Sequence, residues 1–215
     1  MPADELYLVG AGGFGREVAG WLMETGAPVA GFLDIDRSAL SAFPDFPVRV
    51  VGDDTDWVVQ PHHKFLVTVG EPMLKRIVIG RLLTHGARMH TAIHPTASVS
   101  PYAEVGLGCI IGGNCGIAAH ARLGIGVTMI ALDTIGHDAE IGDYCQLSSH
   151  CEVSGGAVLG EGVLMGSHAV VLPHAKVGEY AIVGAGSVVV REAPARTTVF
   201  GVPAKNIWES RNDAR

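Results

Sequence analysis

Ile93-His94-Pro95-Thr96-Ala97-Ser98-Val99-Ser100-Pro101-Tyr102-Ala103-Glu104-Val105 opens a stretch that keeps one beat as far as Val189. Steps of six residues from Ile93 land on Val99, Val105, Ile111, Ile117, Leu123, Met129, Ile135, Ile141, Leu147, Val153, Leu159, Met165, Val171, Val177, Val183 and Val189. Every one is aliphatic or Met. Four residues after most of them comes a small side chain, as at Ala97, Ala103, Cys109, Cys115, Ala121, Ala139, Ala157, Ala169, Ala181 and Ser187. Glycine often follows the aliphatic directly, as in Leu123-Gly124, Ile135-Gly136 and Val183-Gly184.

A six-residue period suits neither an α-helix nor a flat alternating strand, and a β-sandwich would not hold one frame over so many repeats. It is the mark of a hexapeptide β-helix, in which short strands and turns wind into stacked coils. Three hexapeptides make one triangular coil. The aliphatic points inward from each face, the small residue fills the corner, and residues eighteen apart stack at roughly 4.8 Å. Cys109, Cys115, Cys145 and Cys151 all fall on the small inward position, where cysteine acts as a small hydrophobe. This phase predicts neither disulfides nor a metal cluster, and no cysteine nucleophile.

The remaining 90 or so residues before the repeat have a different grammar. Leu6-Tyr7-Leu8-Val9 reads as a buried strand, Gly10-Ala11-Gly12-Gly13-Phe14-Gly15 as a turn, and Arg16 to Glu24 as a helix. Gly10, Gly12 and Gly15 have the G-x-G-x-x-G spacing in the strand-turn-helix setting where glycines let backbone approach a phosphate. A tight turn with no ligand is the competing reading. A second strand, Val29 to Leu33, runs into Asp34-Ile35-Asp36, where a carboxylate can meet a ribose or base. A third, Lys64 to Val69, ends at Gly70-Glu71 before a helix from Pro72 to His85 that carries Lys75, Arg76 and Arg81. The fold expected is therefore a small α/β Rossmann-like domain over 1–90, an all-β parallel β-helix over 91–192, and a C-terminal loop and tail over 193–215. Ligand is expected at the carboxyl ends of the strands. Only half of a dinucleotide-binding domain fits, which disfavours a nicotinamide oxidoreductase.

Composition narrows the partners. The chain has 215 residues, 17% of them charged, and a net charge of −7, a poor surface for nucleic acid. No apolar run approaches a membrane span, and Met1-Pro2-Ala3-Asp4-Glu5 lacks the basic start of a signal peptide, so a cytoplasmic location is expected.

Chemistry on a coil sits on its outward positions. His137-Asp138 lies there, an imidazole beside a carboxylate, suited to general base work near neutral pH; a plain surface histidine is the competing reading. Asp133 falls on an inward position where a lone carboxylate is costly, so Met129 to Thr134 is expected to be distorted. The eighteen-residue rule stacks His150 with His168 and puts His120 in one column with Asp138 and His174.

Together the coil, the glycine-rich domain before it, the His-Asp pair and the closing Gly201-Val202-Pro203-Ala204-Lys205 resemble the left-handed β-helix sugar acyltransferases. The nearest group is the nucleotide-sugar N-acetyltransferases of the bacillosamine and perosamine pathways, with sialic-acid O-acetyltransferases as cousins. The resemblance implies a homotrimer with active sites between subunits, acetyl-coenzyme A as co-substrate, no metal, a nucleotide sugar as acceptor, and a place in polysaccharide biosynthesis. By position it implies His137 as catalytic base and Asp138 as its orienting acid. It implies Gly155 facing the thioester carbonyl, Ser167, Gly184 and Ala185 along the pantetheine arm, and Pro203 to Lys205 near the adenine. Gly12, Gly13 and Phe14 match the loop over the phosphates, and Asp34, Ile35, Asp36 and Gly70 the contacts to the nucleotide. Three positions depart from the family pattern: Gly136 replaces an Asp, Ile130-Ala131-Leu132 replaces Asn-Thr-Gly, and Gln146 stands where a second histidine is common. The readings left beside N-acetylation are sugar O-acetylation on the same fold, a zinc-dependent β-helix hydrolyase drawing on His120, His137, His150 and His168, and a non-catalytic nucleotide-binding trimer.

Overall fold

The computed structural model describes residues 3–209. Its first part contains β1 (Glu5–Val9), α1 (Gly13–Glu24), β2 (Val29–Leu33), β3 (Val50–Gly52), β4 (His63–Val67), α2 (Pro72–Thr84) and β5 (Arg88–Met89). The five strands form one parallel sheet in the order β3-β2-β1-β4-β5. Winding reverses between β1 and β4, which leaves a crevice at their carboxyl ends. Two of these strands go beyond the three expected, because β3 and β5 are only three and two residues long and carry too little periodicity to register. The first helix begins three residues earlier than its polar start at Arg16, with Gly12 as N-cap. Close packing explains the glycines here: a methyl group on Gly15 would stand 2.0 Å from the Gly10 carbonyl oxygen, and Gly10 itself has φ +107°.

From Ala92 the chain winds into the expected prism. Each hexapeptide gives a two-residue strand whose second residue points inward, and each strand pairs in parallel with the one eighteen residues on, as in Thr128↔Gln146, Thr134↔Glu152 and Glu140↔Val158. The first face starts with Ala92–Ile93, the second with Ser98–Val99 and the third with Glu104–Val105. The inward aliphatics from Ile111 to Val189 are buried in one continuous core together with all four cysteines. Burial pushes the Cys145 and Cys151 thiols up to about 12, which fits packing rather than nucleophilic chemistry.

Three expectations need correction. Ile93 is 43% exposed and Val99 and Val105 are half-buried, because no coil stacks beneath the first one. The stretch from Met129 to Thr134 keeps its register with both neighbouring coils, and the only departure is a bend with Leu132 at φ +59° in place of the usual turn. Thirdly, among the described residues the segment after 193 carries two strands rather than only a loop. Glu192–Ala193 closes the third face, and Thr197–Phe200 extends the first face and pairs antiparallel with Lys205–Glu209. The six-residue frame ends at Val189, yet Ala193 and Val199 still enter the core, so burial continues after the beat stops.

The α/β domain covers the lower part of the first face. Ala92 and Ile110 pack with Leu6, Leu8 and Val18, and α2 lies along the coil where Ile79 comes against Gly126. Among the described residues no helix is long and apolar enough to cross a membrane.

Candidate active site

His137 and Asp138 sit on the corner between the second and third faces, following the strand Thr134–Ile135. Asp138 takes a left-handed turn conformation at φ +59°, which short polar side chains tolerate. The His137 Nδ1–H donates to Asp138 Oδ2 at 2.7 Å, and this bond holds the Asp138 carboxyl below its usual range. Since an ionised carboxylate only accepts, the proton is fixed on Nδ1 and Nε2 is left as the basic nitrogen. The two side chains are 71% and 62% exposed.

Gly155 lies one coil above, against that nitrogen. A methyl group there would stand 2.8 Å from His137 Nε2 and 2.9 Å from Cε1. On the far side of the same turn, His174 packs so closely on Gly156 that a methyl group would come within 2.5 Å of its Nδ1. Gly136 is as confined, since a Cβ there would lie 2.5 Å from the Gly155 amide nitrogen.

The residues matched to the pantetheine arm occupy a different corner, between the first and second faces. Ser167 is half-buried there beside exposed His168, and Gly184 and Ala185 follow one coil above. The His150 and His168 rings stack as the eighteen-residue rule requires, with centroids 4.6 Å apart and planes 8° from parallel. Phe200 lies against Gly184, where a methyl group would meet its ring at 2.3 Å. The Ala204 amide donates to the Val188 carbonyl at 2.8 Å, which lays Pro203 and Lys205 against the end of the coil. Ser167, Gly184, Ala185, Pro203 and Lys205 thus form one strip rising toward the C-terminal hairpin.

At the carboxyl ends of the parallel strands is a cleft of about 240 Å³, lined by Val9, Gly10, Leu33, Asp34, Ile35, Asp54, Thr55, Val69, Leu74, Val78 and Arg81. Of the expected residues, Asp34 and Ile35 line it. Asp34 is also committed to the fold, its Oδ2 accepting the Ala11 amide at 2.7 Å and its Oδ1 the Asp36 amide at 2.9 Å. Asp36 turns back on its own loop and accepts from the Ser38 amide and hydroxyl at 2.8 and 2.6 Å. Gly12 caps α1 without a side-chain bond, and Gly13 begins the helix, so both offer backbone at the rim. Phe14 instead packs on the apolar layer beneath α1, which leaves only its backbone to the loop. Gly70 is exposed with open space around its Cα. Sequence reasoning missed Asp54, Thr55 and Arg81. Arg81 Nη1 donates to Asp54 Oδ2 at 2.8 Å, yet burial pushes the Asp54 carboxyl above its usual range. The signal for the two loop residues was the Gly52-Asp53-Asp54-Thr55 turn after Val50-Val51.

The departure at Gln146 also has a structural meaning. The residue is buried on the first face beneath α2, accepting from Lys75 Nζ at 3.0 Å, and does not share the corner of His137. For metal, Glu5, His62 and His63 are the one group of three ligand side chains among the described residues, at the opposite end of the sheet from the cleft. Their hydrogen bonds do not suit an ion. His63 Nδ1 accepts from Trp57 Nε1–H at 3.3 Å and from the Gln60 amide at 3.2 Å, so Nε2, the nitrogen facing Glu5, carries the proton.

Within one chain, then, the His137 pair, the strip and the cleft lie on three different parts of the surface. Residues 5–82 match the PglD N-terminal domain family, and residues 156–191 match the bacterial transferase hexapeptide family of six repeats. No curated protein sequence matches the chain. Among solved structures, PerB from Caulobacter crescentus in complex with CoA and GDP-perosamine is 31% identical with a TM-score of 0.88, over 95% of this chain and 98% of that one. A single-site variant of perosamine N-acetyltransferase from the same organism, also with CoA and GDP-perosamine, is 30% identical with a TM-score of 0.89, over 97% and 99% of the two chains. The acetyltransferase domain of PglB from Neisseria gonorrhoeae in complex with acetyl coenzyme A is 27% identical with a TM-score of 0.86, over 96% and 100%. With a full-length match at this identity, a PglD-type first domain and a hexapeptide coil, the chain belongs to the hexapeptide-repeat sugar N-acetyltransferases.

Proposed function

We propose that this protein transfers an acetyl group from acetyl-coenzyme A to the amine of a nucleotide-linked amino sugar. The observation that carries the reading is the setting of His137: Nδ1–H is engaged by Asp138, and Nε2 is free against the Gly155 backbone. As the sugar nitrogen attacks the thioester carbonyl, Nε2 takes its proton. The N–C bond forms, the C–S bond breaks, and the thiolate leaves to be protonated as free coenzyme A. The Gly155 amide, which donates to no group among the described residues, is placed to steady the oxyanion. One such donor is worth about 3 kcal/mol.

The cleft at the strand ends holds the nucleotide, with Asp34 and Ile35 on its wall and the α1 N-terminus at the rim offering free amides to phosphate. The strip from Ser167 to Lys205 carries the pantetheine and adenine of the donor. Because the strip and the His137 pair lie on different corners of one prism and the cleft in the domain beside it, the reading requires neighbouring copies to complete each site, as a homotrimer. Use of acetyl-coenzyme A and four reduced thiols suits a cytoplasmic setting.

Two measurements follow. Thiol release from acetyl-coenzyme A, assayed against UDP-, GDP- and dTDP-linked amino sugars, is expected to show one strongly preferred acceptor and an amide product. No release with any of them would refute the reading. Gly155→Ala should push a methyl group into the imidazole and shift it by about 1 Å. Such a misplacement is expected to lower kcat roughly 10²-fold. KM for the nucleotide sugar should stay within about threefold, since the cleft is untouched. An unchanged kcat would separate His137 from the reaction.

A further inference from the structure

Among the described residues Lys75 is the most fully buried cation, with no exposed surface, and the mechanism above does not use it. It extends from the first turn of α2 into the coil. There Nζ donates to Thr128 Oγ1 at 2.9 Å, Gln146 Oε1 at 3.0 Å and the Cys145 carbonyl at 3.4 Å. Three donors meet three acceptors, and none of them is a carboxylate. Burial pulls the amine down to about 8. An apolar side chain of the same length would fill this space without desolvating an ammonium group.

The placement gives the group a use. Thr128 and Gln146 are cross-strand partners on adjacent coils, so one head group grips two rungs of the first face. On the helix, Leu74, Val78 and Arg81 recur at helical spacing and line the strand-end cleft, while Lys75 and Ile79 form the neighbouring stripe against the coil. A shift or rotation of α2 on the coil therefore moves one wall of the cleft. Apolar contacts permit such sliding, whereas a three-way hydrogen bond fixes both the height and the turn of the helix.

We propose that Lys75 is a positioning residue for the nucleotide-sugar substrate: by locking α2 to Thr128, Cys145 and Gln146, it sets where the cleft stands relative to the coil that carries out the transfer. This rests on the proposed use of the cleft as the nucleotide site. It assigns Lys75 no contact with either substrate.

The test uses the full-length protein and two variants. Lys75→Met removes the head group and leaves two buried acceptors unpaired. The triple variant Lys75→Met/Thr128→Val/Gln146→Leu removes the whole polar cluster and replaces it with apolar groups. The triple variant is expected to fold with a Tm no lower than the parent's. KM for the preferred nucleotide sugar should rise at least tenfold, while KM for acetyl-coenzyme A stays within twofold. A folded triple variant with both KM values unchanged would overturn the proposal, since packing alone would then suffice. Failure of the triple variant to fold would overturn it too, by making the cluster a requirement of folding. Failure of the underlying reading looks different: the parent protein would show no saturable dependence of thiol release on any nucleotide sugar.

Discussion

Replacement of His137 by asparagine is expected to lower kcat for acetyl transfer by roughly 10²–10⁴-fold, the range contributed by a positioned general base. The side chain is largely exposed and contributes no core packing, so Tm should stay within about 2 °C, the scale of a surface substitution. Both KM values should change little, because neither the strip nor the cleft depends on the imidazole. A second readout separates base catalysis from simple loss of shape: the circular dichroism spectrum of the variant should match the parent's while turnover is lost. Asp138→Asn should act in the same direction but more weakly, by releasing the Nδ1 proton that the 2.7 Å bond now fixes. Near-parental turnover in His137→Asn would remove the base from the mechanism and leave the family assignment standing on the fold alone.

What could be read from the sequence was whatever repeats. The six-residue beat identified the prism, its inward columns and the core position of every cysteine, because each coil states the same steric rule again. His137-Asp138 was legible as an outward pair set against that frame, whereas Gly155 came only with the family resemblance. The cleft was legible at Gly10, where the backbone conformation demands glycine, and at Asp34 and Ile35, which follow a readable strand. Asp54 and Arg81 escaped because one sits in the turn after a three-residue strand and the other on the far turn of α2, and their juxtaposition is a property of the sheet order. Lys75 was the hardest. A lysine on a helix reads as a solvated face, and Thr128 and Gln146 occupy outward positions of the repeat. Nothing local says that the two outward faces cover each other. The hairpin beyond Val189 was lost for the opposite reason, that a strand pairing needs no periodicity of six.

Asp133→Asn is expected to make the protein more stable at neutral pH, by an amount that grows as pH rises. Asp133 takes the small corner position otherwise filled by Ala97, Cys115, Cys151, Ala169 and Ser187, and has no exposed surface. Its Oδ1 accepts the Cys151 amide at 2.7 Å, a proton that in the turns of Ala97, Ala169 and Ser187 closes on the turn's own carbonyl. Its Oδ2 is buried without a hydrogen-bond partner. Burial pushes the carboxyl up to about 7, against about 3.9 in an unfolded chain. Between these values the folded state holds a proton that the unfolded state has lost, so stability is fullest below about pH 4 and declines as pH climbs through 7. Three pKa units correspond to at most about 4 kcal/mol. The asparagine keeps an acceptor for Cys151 and cannot ionise, so it should escape that decline. In a chain of this size the gain should amount to roughly 10 °C in Tm at pH 8, and to about a third of that at pH 5. Lys75 does not confuse the comparison, since its own contribution changes above pH 8 and is present in both proteins. Thermal unfolding of the two proteins at pH 5 and pH 8 decides the matter: a Tm difference that is the same at both values would mean that Asp133 is ionised in the folded protein throughout the range, and that the coil tolerates the carboxylate by a contact other than protonation.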